Sequence, residues 1–105
     1  MNLTGKCKKD FEEWFNKGVA DKTSYGTYLL GRFYGLHLSM QFGVIQEFAD
    51  SVGYDMITEA SILQDKYWFT IYKQGNDNIN DSYFDTRKEA QQAAIAKFNE
   101  IYNER

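Results

Sequence analysis

The 105-residue chain has no proline, one cysteine and one histidine. A single thiol excludes a disulfide framework and any cysteine-based zinc site within one chain. His37 has no serine or cysteine nucleophile motif around it, so it reads as a structural or solvent-facing side chain rather than a catalytic base. No glycine-rich phosphate loop is present. The longest apolar region, 25–52, is broken by Arg32, His37, Gln41, Gln46 and Glu47, which excludes a membrane span. The first ten residues are polar and lysine-rich and lack the apolar run of a secretory signal. These features lead us to expect a soluble cytoplasmic protein with a reduced thiol.

What the chain has in excess is aromatic rings: 8 Phe, 8 Tyr and 2 Trp, or 17% of its residues. A single domain of this length buries one core, and that many rings exceed what a small core needs. Some rings are therefore expected on a second packed layer, a partner surface or a ligand surface. Apolar residues make up 43% and charged residues 26%, with a net charge of −3, ordinary values for a globular chain.

Hydrophobic spacing divides the chain. Residues 3–18 read as a helix with Cys7, Phe11, Trp14 and Phe15 on one face, Thr4 as N-cap and Gly18 as stop. Buried on that stripe, Cys7 is expected to act as a small hydrophobe. Residues 19–38 carry Gly26, Gly31 and Gly35 among apolar residues and read as irregular or partly extended chain. Ser39 to Val52 reads as a second helix, with stripe Phe42, Ile45, Phe48, Ala49 and Val52, followed by Gly53 as a stop. Two strands, 54–63 and 66–74, meet at Gln64–Asp65. The second puts Tyr67, Phe69 and Ile71 on one face and Trp68, Thr70 and Tyr72 on the other, so both faces call for cover. Residues 75–81 read as a loop and Ser82 to Phe84 as a short third strand. Thr86-Arg-Lys-Glu89 is a capping box opening a final helix, Arg87 to about Glu104, striped by Ala90, Ala94, Phe98 and Ile101.

The expected fold class is therefore α+β, a three-stranded antiparallel sheet with helices in the order α-α-β-β-β-α, forming one domain over residues 1–105. Within it, residues 1–38 pack on an α-β-β-β-α unit at 39–105. The aromatic stripe of the first helix suits the Trp68–Tyr72 face, and such closure makes an α-β-α sandwich, within the chain or across a homodimer.

Residues 39–103 follow the α-β-β-β-α order of double-stranded-RNA-binding domains. Thr86-Arg-Lys-Glu-Ala-Gln-Gln-Ala-Ala-Ile-Ala-Lys97 resembles the start of that family's last helix. The resemblance implies phosphate contacts by Arg87 and Lys88. The family's third basic position falls on Gln91, and its loop between the first two strands is missing. Residues 38–105 hold six basic and eleven acidic side chains, which disfavours a polyanionic partner.

Three segments also resemble small uncharacterised proteins of bacteriophages and mobile elements, of the phage α-β-α sandwich type. They are Leu3-Thr-Gly-Lys-Cys-Lys-Lys-Asp-Phe-Glu-Glu-Trp-Phe15, the Ser39–Gly53 block and the Thr86–Ala90 helix start. That resemblance implies an accessory protein in a bacterial host that binds a host factor or blunts a defence system.

No residue pattern supports catalysis, a cofactor or a metal. Asn76–Asp81 looks like a calcium loop, yet its twelfth position is Arg87 or Lys88, counted from Asn76 or Asp77, and it lacks the sixth-position glycine. Asp55 with Glu59, and Asp81 with Asp85, have nothing in their spacing that separates them from solvated charges. Trp68 and Tyr72 suit three roles: a face covered by the first helix, a protein interface, or a stacking platform for single-stranded nucleic acid. The reading adopted is a non-enzymatic protein-binding protein using Trp14, Trp68 and Tyr72, with a host protein or a second copy as partner. The alternative is a nucleic-acid-binding module using Arg87, Lys88 and Lys97.

Overall fold

The computed structural model describes residues 3–17, 26–61, 63–73, 78–80 and 83–105. Four helices and a three-stranded antiparallel sheet run in the order α1 (Gly5–Phe15), α2 (Gly26–Tyr34), α3 (Leu38–Ser51), β1 (Tyr54–Ser61), β2 (Lys66–Lys73), β3 (Asn78–Asn80) and α4 (Arg87–Asn103). The α+β class and the expected succession α-α-β-β-β-α are present, with one further helix, α2, inserted between the first two.

The sheet order is β1-β2-β3. Met56 faces Ile71 and Thr58 faces Phe69 across the β1–β2 pair. This register puts Tyr54, Met56, Phe69 and Ile71 on an inner face, where all four are buried. α3 and α4 lie side by side against that face. Alanines 90 and 94, both fully buried, let α4 approach the strands closely.

α1 does not cover the other face of the sheet. It packs on α3 and α4, so the expected α-β-α sandwich within the chain is not formed. The reason is ring packing around Phe48 of α3. Its ring lies 5.5 Å from Phe11, 5.6 Å from Trp14, 6.0 Å from Phe98 and 5.7 Å from Tyr102. The stripe of α1 thus meets an aromatic wall built by the two central helices, and Trp14 is engaged there rather than on Trp68 and Tyr72.

The glycine-containing segment expected to be irregular holds a helix, α2. Tertiary contact overrides the low helix propensity of Gly26 and Gly31. Phe33 is buried against Phe11 (5.2 Å) and Phe15 (5.4 Å). The buried amide of Gln41 donates to the carbonyls of Phe33 (3.2 Å) and Tyr34 (3.0 Å), closing the end of α2 from α3. Residues 19–25 of that segment, and the expected stop at Gly18, lie outside the described residues.

Other helix ends also differ from expectation. α3 begins at Leu38 with His37 as N-cap, and Ser39 is inside the helix. Thr4 sits at the N-cap of α1 without a local cap bond from its side chain. Instead α4 reaches across the chain. Asn103 Oδ1 accepts from the Cys7 N–H at 2.8 Å, and Asn99 Oδ1 accepts from the Thr4 N–H at 2.9 Å. Asn103 Nδ2 donates in return to the Thr4 carbonyl at 3.0 Å. Two asparagines nearly a chain length away therefore perform the capping of α1. Gly5 permits this with φ +57, and a Cβ there would lie 3.1 Å from Asn103 Oδ1.

At the start of α4, Thr86 accepts from the Glu89 N–H (3.1 Å) as a capping box requires. The Glu89 carboxylate takes the Thr86 hydroxyl (3.0 Å) rather than a backbone N–H. The third strand is displaced from its expected place. Asn78–Asn80, read as loop, pairs with β2, and Ile79 faces Ile71. Phe84 makes only an isolated bridge to Tyr67. The polar residues of β3 carried no strand signal, because the pairing is made by backbone and one isoleucine. Ser82 and residues 74–77 lie outside the described residues.

Asn103→Ala should lower stability by about 1–2 kcal/mol through loss of the cross-chain cap, as read by urea denaturation. Gly43 lies within α3, and a methyl group added there would meet nothing within 4 Å. Gly43→Ala should therefore raise stability by about 0.5–1 kcal/mol. A loss on Gly43→Ala would contradict the packing described.

Candidate functional site

The register that buries the inner face turns Asp55, Ile57 and Glu59 of β1 outward, beside Tyr72, Thr70 and Trp68 of β2 respectively. No described helix packs over these side chains. Trp68 is half-buried and meets Tyr83 edge-on, with ring centroids 5.7 Å apart. Tyr72 is 37% exposed and Tyr83 60% exposed. Thr70 is buried, midway between Trp68 and Tyr72 along β2. The outcome is an aromatic surface with a hydrogen-bonded sheet beneath it.

Trp14 is not part of this surface. It lines a separate open groove of about 350 Å³ between α1, α2 and α3, together with Phe15, Phe33, Leu36 and Val44 and with the charged Arg32 and Glu47. The fold thus brings Trp68 and Tyr72 together, adds Ile57 and Tyr83, and leaves Trp14 on a different face. Tyr83 was missed because nothing in a three-residue segment tells which ring of β2 it will meet. Ile57 was missed because β1 alternates weakly.

Of the candidate nucleic-acid residues, Arg87 and Lys88 open α4 and Lys97 lies further along it, and two of the three are engaged. The Arg87 guanidinium stands over the Tyr67 ring at 5.1 Å. Lys97 pairs with Glu100 at 3.4 Å. Lys88 is exposed, at a recess shared with His37, Leu38, Ser39 and Gln91. Gln91, at the family's third basic position, is buried. Nearby Lys66 is held by Asp85 in an exposed ion pair.

Cys7 is fully buried. Burial, with Asp10 adding to it, pushes its thiol up to about 12, so it carries no thiolate at neutral pH. Two tyrosine hydroxyls donate to carboxylates: Tyr34 to Glu12 (2.7 Å) and Tyr102 to Asp10 (2.6 Å). Burial and then these bonds raise both phenols, Tyr102 to about 12. Both pairs tie α1 to its neighbours. Among the described residues, no three His, Cys, Asp or Glu side chains converge to hold a metal ion. Asn76, Asp77 and Asp81 of the loop weighed for calcium lie outside the described residues, while 78–80 form β3. No described helix is long and apolar enough to cross a membrane. No family model matches the chain, and neither the curated proteins nor the solved structures contain a significant match.

The raised thiol has a consequence for stability. Cys7 keeps its proton to about 12 in the fold, against the usual 9.0 when unfolded. The unfolded chain deprotonates first, so stability present below pH 9 is lost as the pH climbs towards 12. The two tyrosines add to the same loss above their usual value of 10.0. Urea midpoints should fall between about pH 8 and about pH 10.5, and Cys7→Ala should reduce the fall. A midpoint independent of pH over that range would contradict the assignment.

Proposed function

We propose that this is a non-enzymatic binding protein that docks a protein partner on the outer face of its sheet. The observation that carries the reading is the surface formed by Trp68, Tyr72, Tyr83 and Ile57 on the side of the sheet opposite α3 and α4. Large aromatic side chains on a rigid backbone are the residues that dominate binding energy at protein interfaces. Acting as a small accessory protein of a phage or mobile element in the cytoplasm of a bacterial host, it would bind and inhibit a host factor through this face. The sequence resemblance to such proteins supports that setting.

A second reading has one observation behind it. α3, the three strands and α4 repeat the order of double-stranded-RNA-binding domains, with both helices on one face of the sheet. Against it stand the acidic balance of residues 38–105 and the engagement of Arg87, Lys97 and Lys66 by the chain's own side chains.

The test compares capture from host lysate by the full chain and by the Trp68→Ala/Tyr72→Ala variant, with folding checked by circular dichroism. A protein held by the parent should be held about thirtyfold or more weakly by the variant. Equal retention by both rejects the face. A dimer mass in solution that reverts to a monomer in the variant identifies a second copy as the partner. Tight binding to duplex RNA with a steep salt slope, lost in Arg87→Glu/Lys88→Glu, would replace the protein-binding reading by the second one.

A further inference from the structure

The outer face is more specific than an apolar patch. Each of its two β2 rings has a carboxylate directly beside it on β1: Glu59 is in register with Trp68, and Asp55 with Tyr72. Side chains so paired have Cβ atoms about 5 Å apart. Trp68 and Tyr72 are four residues apart on one strand, so the two acid–ring pairs repeat at roughly 13 Å. Between them lie Ile57 and the buried Thr70.

Among the described residues, no cation is ion-paired to Asp55 or Glu59 or stands over the Trp68 or Tyr72 ring. Elsewhere the chain's own cations already stand over rings: Arg87 over Tyr67, Arg105 over Tyr54 and Tyr102, and Lys6 over Tyr102. Lys66, on the outer side of β2, is paired to Asp85. Glu59 is half-buried and Asp55 exposed, and neither is joined to a basic side chain among the described residues. At the Asp55–Tyr72 end the surface dips into an open recess of about 390 Å³, also lined by a second carboxylate, Asp50, and by one cation, Lys73.

A ring face with a carboxylate at its edge attracts a guanidinium or ammonium twice, through the quadrupole of the ring and through the ion pair. The same carboxylates repel phosphate, which argues against the stacking of single-stranded nucleic acid on these rings. We propose that the outer face binds a basic segment of a protein partner, with two cationic side chains about 13 Å apart seated on the Glu59–Trp68 and Asp55–Tyr72 pairs. An extended segment meets this spacing with arginines four positions apart, the middle side chain between them lying over Ile57 and Thr70. The proposal rests on the docking face described above and names the chemistry of its occupant.

The experiment titrates the full ¹⁵N-labelled chain with the peptide acetyl-ARVTVRA-amide and follows the two indole N–H resonances, assigned by Trp68→Phe. The controls are acetyl-AQVTVQA-amide, acetyl-AEVTVEA-amide and a peptide with arginines two positions apart. The arginine peptide is expected to shift the Trp68 indole and leave that of Trp14 in place. Its affinity should fall about tenfold in Asp55→Asn/Glu59→Gln, with a weaker salt dependence. Equal shifts from the glutamine peptide, or unchanged affinity in the double variant, overturn the cationic specificity and leave the docking face standing. A Trp68 indole unmoved by every peptide overturns the specificity as well. The docking face itself falls if lysate capture also proves indifferent to Trp68→Ala/Tyr72→Ala.

Discussion

The structure depends on the placement of one ring. Phe48 projects from α3 into the junction of three helices and touches Phe11, Trp14, Phe98 and Tyr102. Tilted and edge-on aromatic pairs of this kind add to the area they bury. Because the cluster spans α1, α3 and α4, it decides which way the aromatic stripe of α1 turns. Once that stripe is buried on the helices, it is not free to cover the sheet. That no described helix covers the outer face is thus a consequence of how the core is satisfied on the other side.

Polar contacts then fix what ring packing leaves loose. Aromatic clusters are weakly directional, and α1 has few local means of closing its first turn. Asn99 and Asn103 supply the missing acceptors from α4, and the tyrosine–carboxylate bonds of Tyr34 and Tyr102 pin its flank. Gln41 does the same for the end of α2. Each of these groups costs free energy if its partner is withdrawn, since a polar atom partly removed from water needs a hydrogen bond. They set the rotation of α1, and so the separation of Trp14 from the Trp68–Tyr72 surface.

That separation shapes the functional reading. Two aromatic regions that the sequence suggests belong together face different directions, and one of them is taken up by the core and an adjoining groove. The sheet face that remains combines rings with acidic neighbours, whereas at the start of α4 Arg87 stands over Tyr67 and only Lys88 is exposed without such a contact. Charge and geometry on this side of the molecule suit a cationic protein segment better than a phosphate backbone.

Much of the architecture was legible in the chain itself. The stripes of α1, α3 and α4, the capping threonine at 86 and the alternation of β2 all follow from local periodicity, because a helix or strand half in water must segregate its residues by face. The same alternation revealed that β2 has two apolar faces. It did not reveal which element would cover each. α2 forms although its glycines disfavour helix, because Phe33 is anchored by rings on α1, and β3 forms from polar residues because backbone pairing needs no side-chain pattern. The choice of α1 between the sheet and the helices was likewise beyond periodicity, since its stripe suits either surface. Only the three-dimensional packing around Phe48 decided it, and with it which rings were left facing outward.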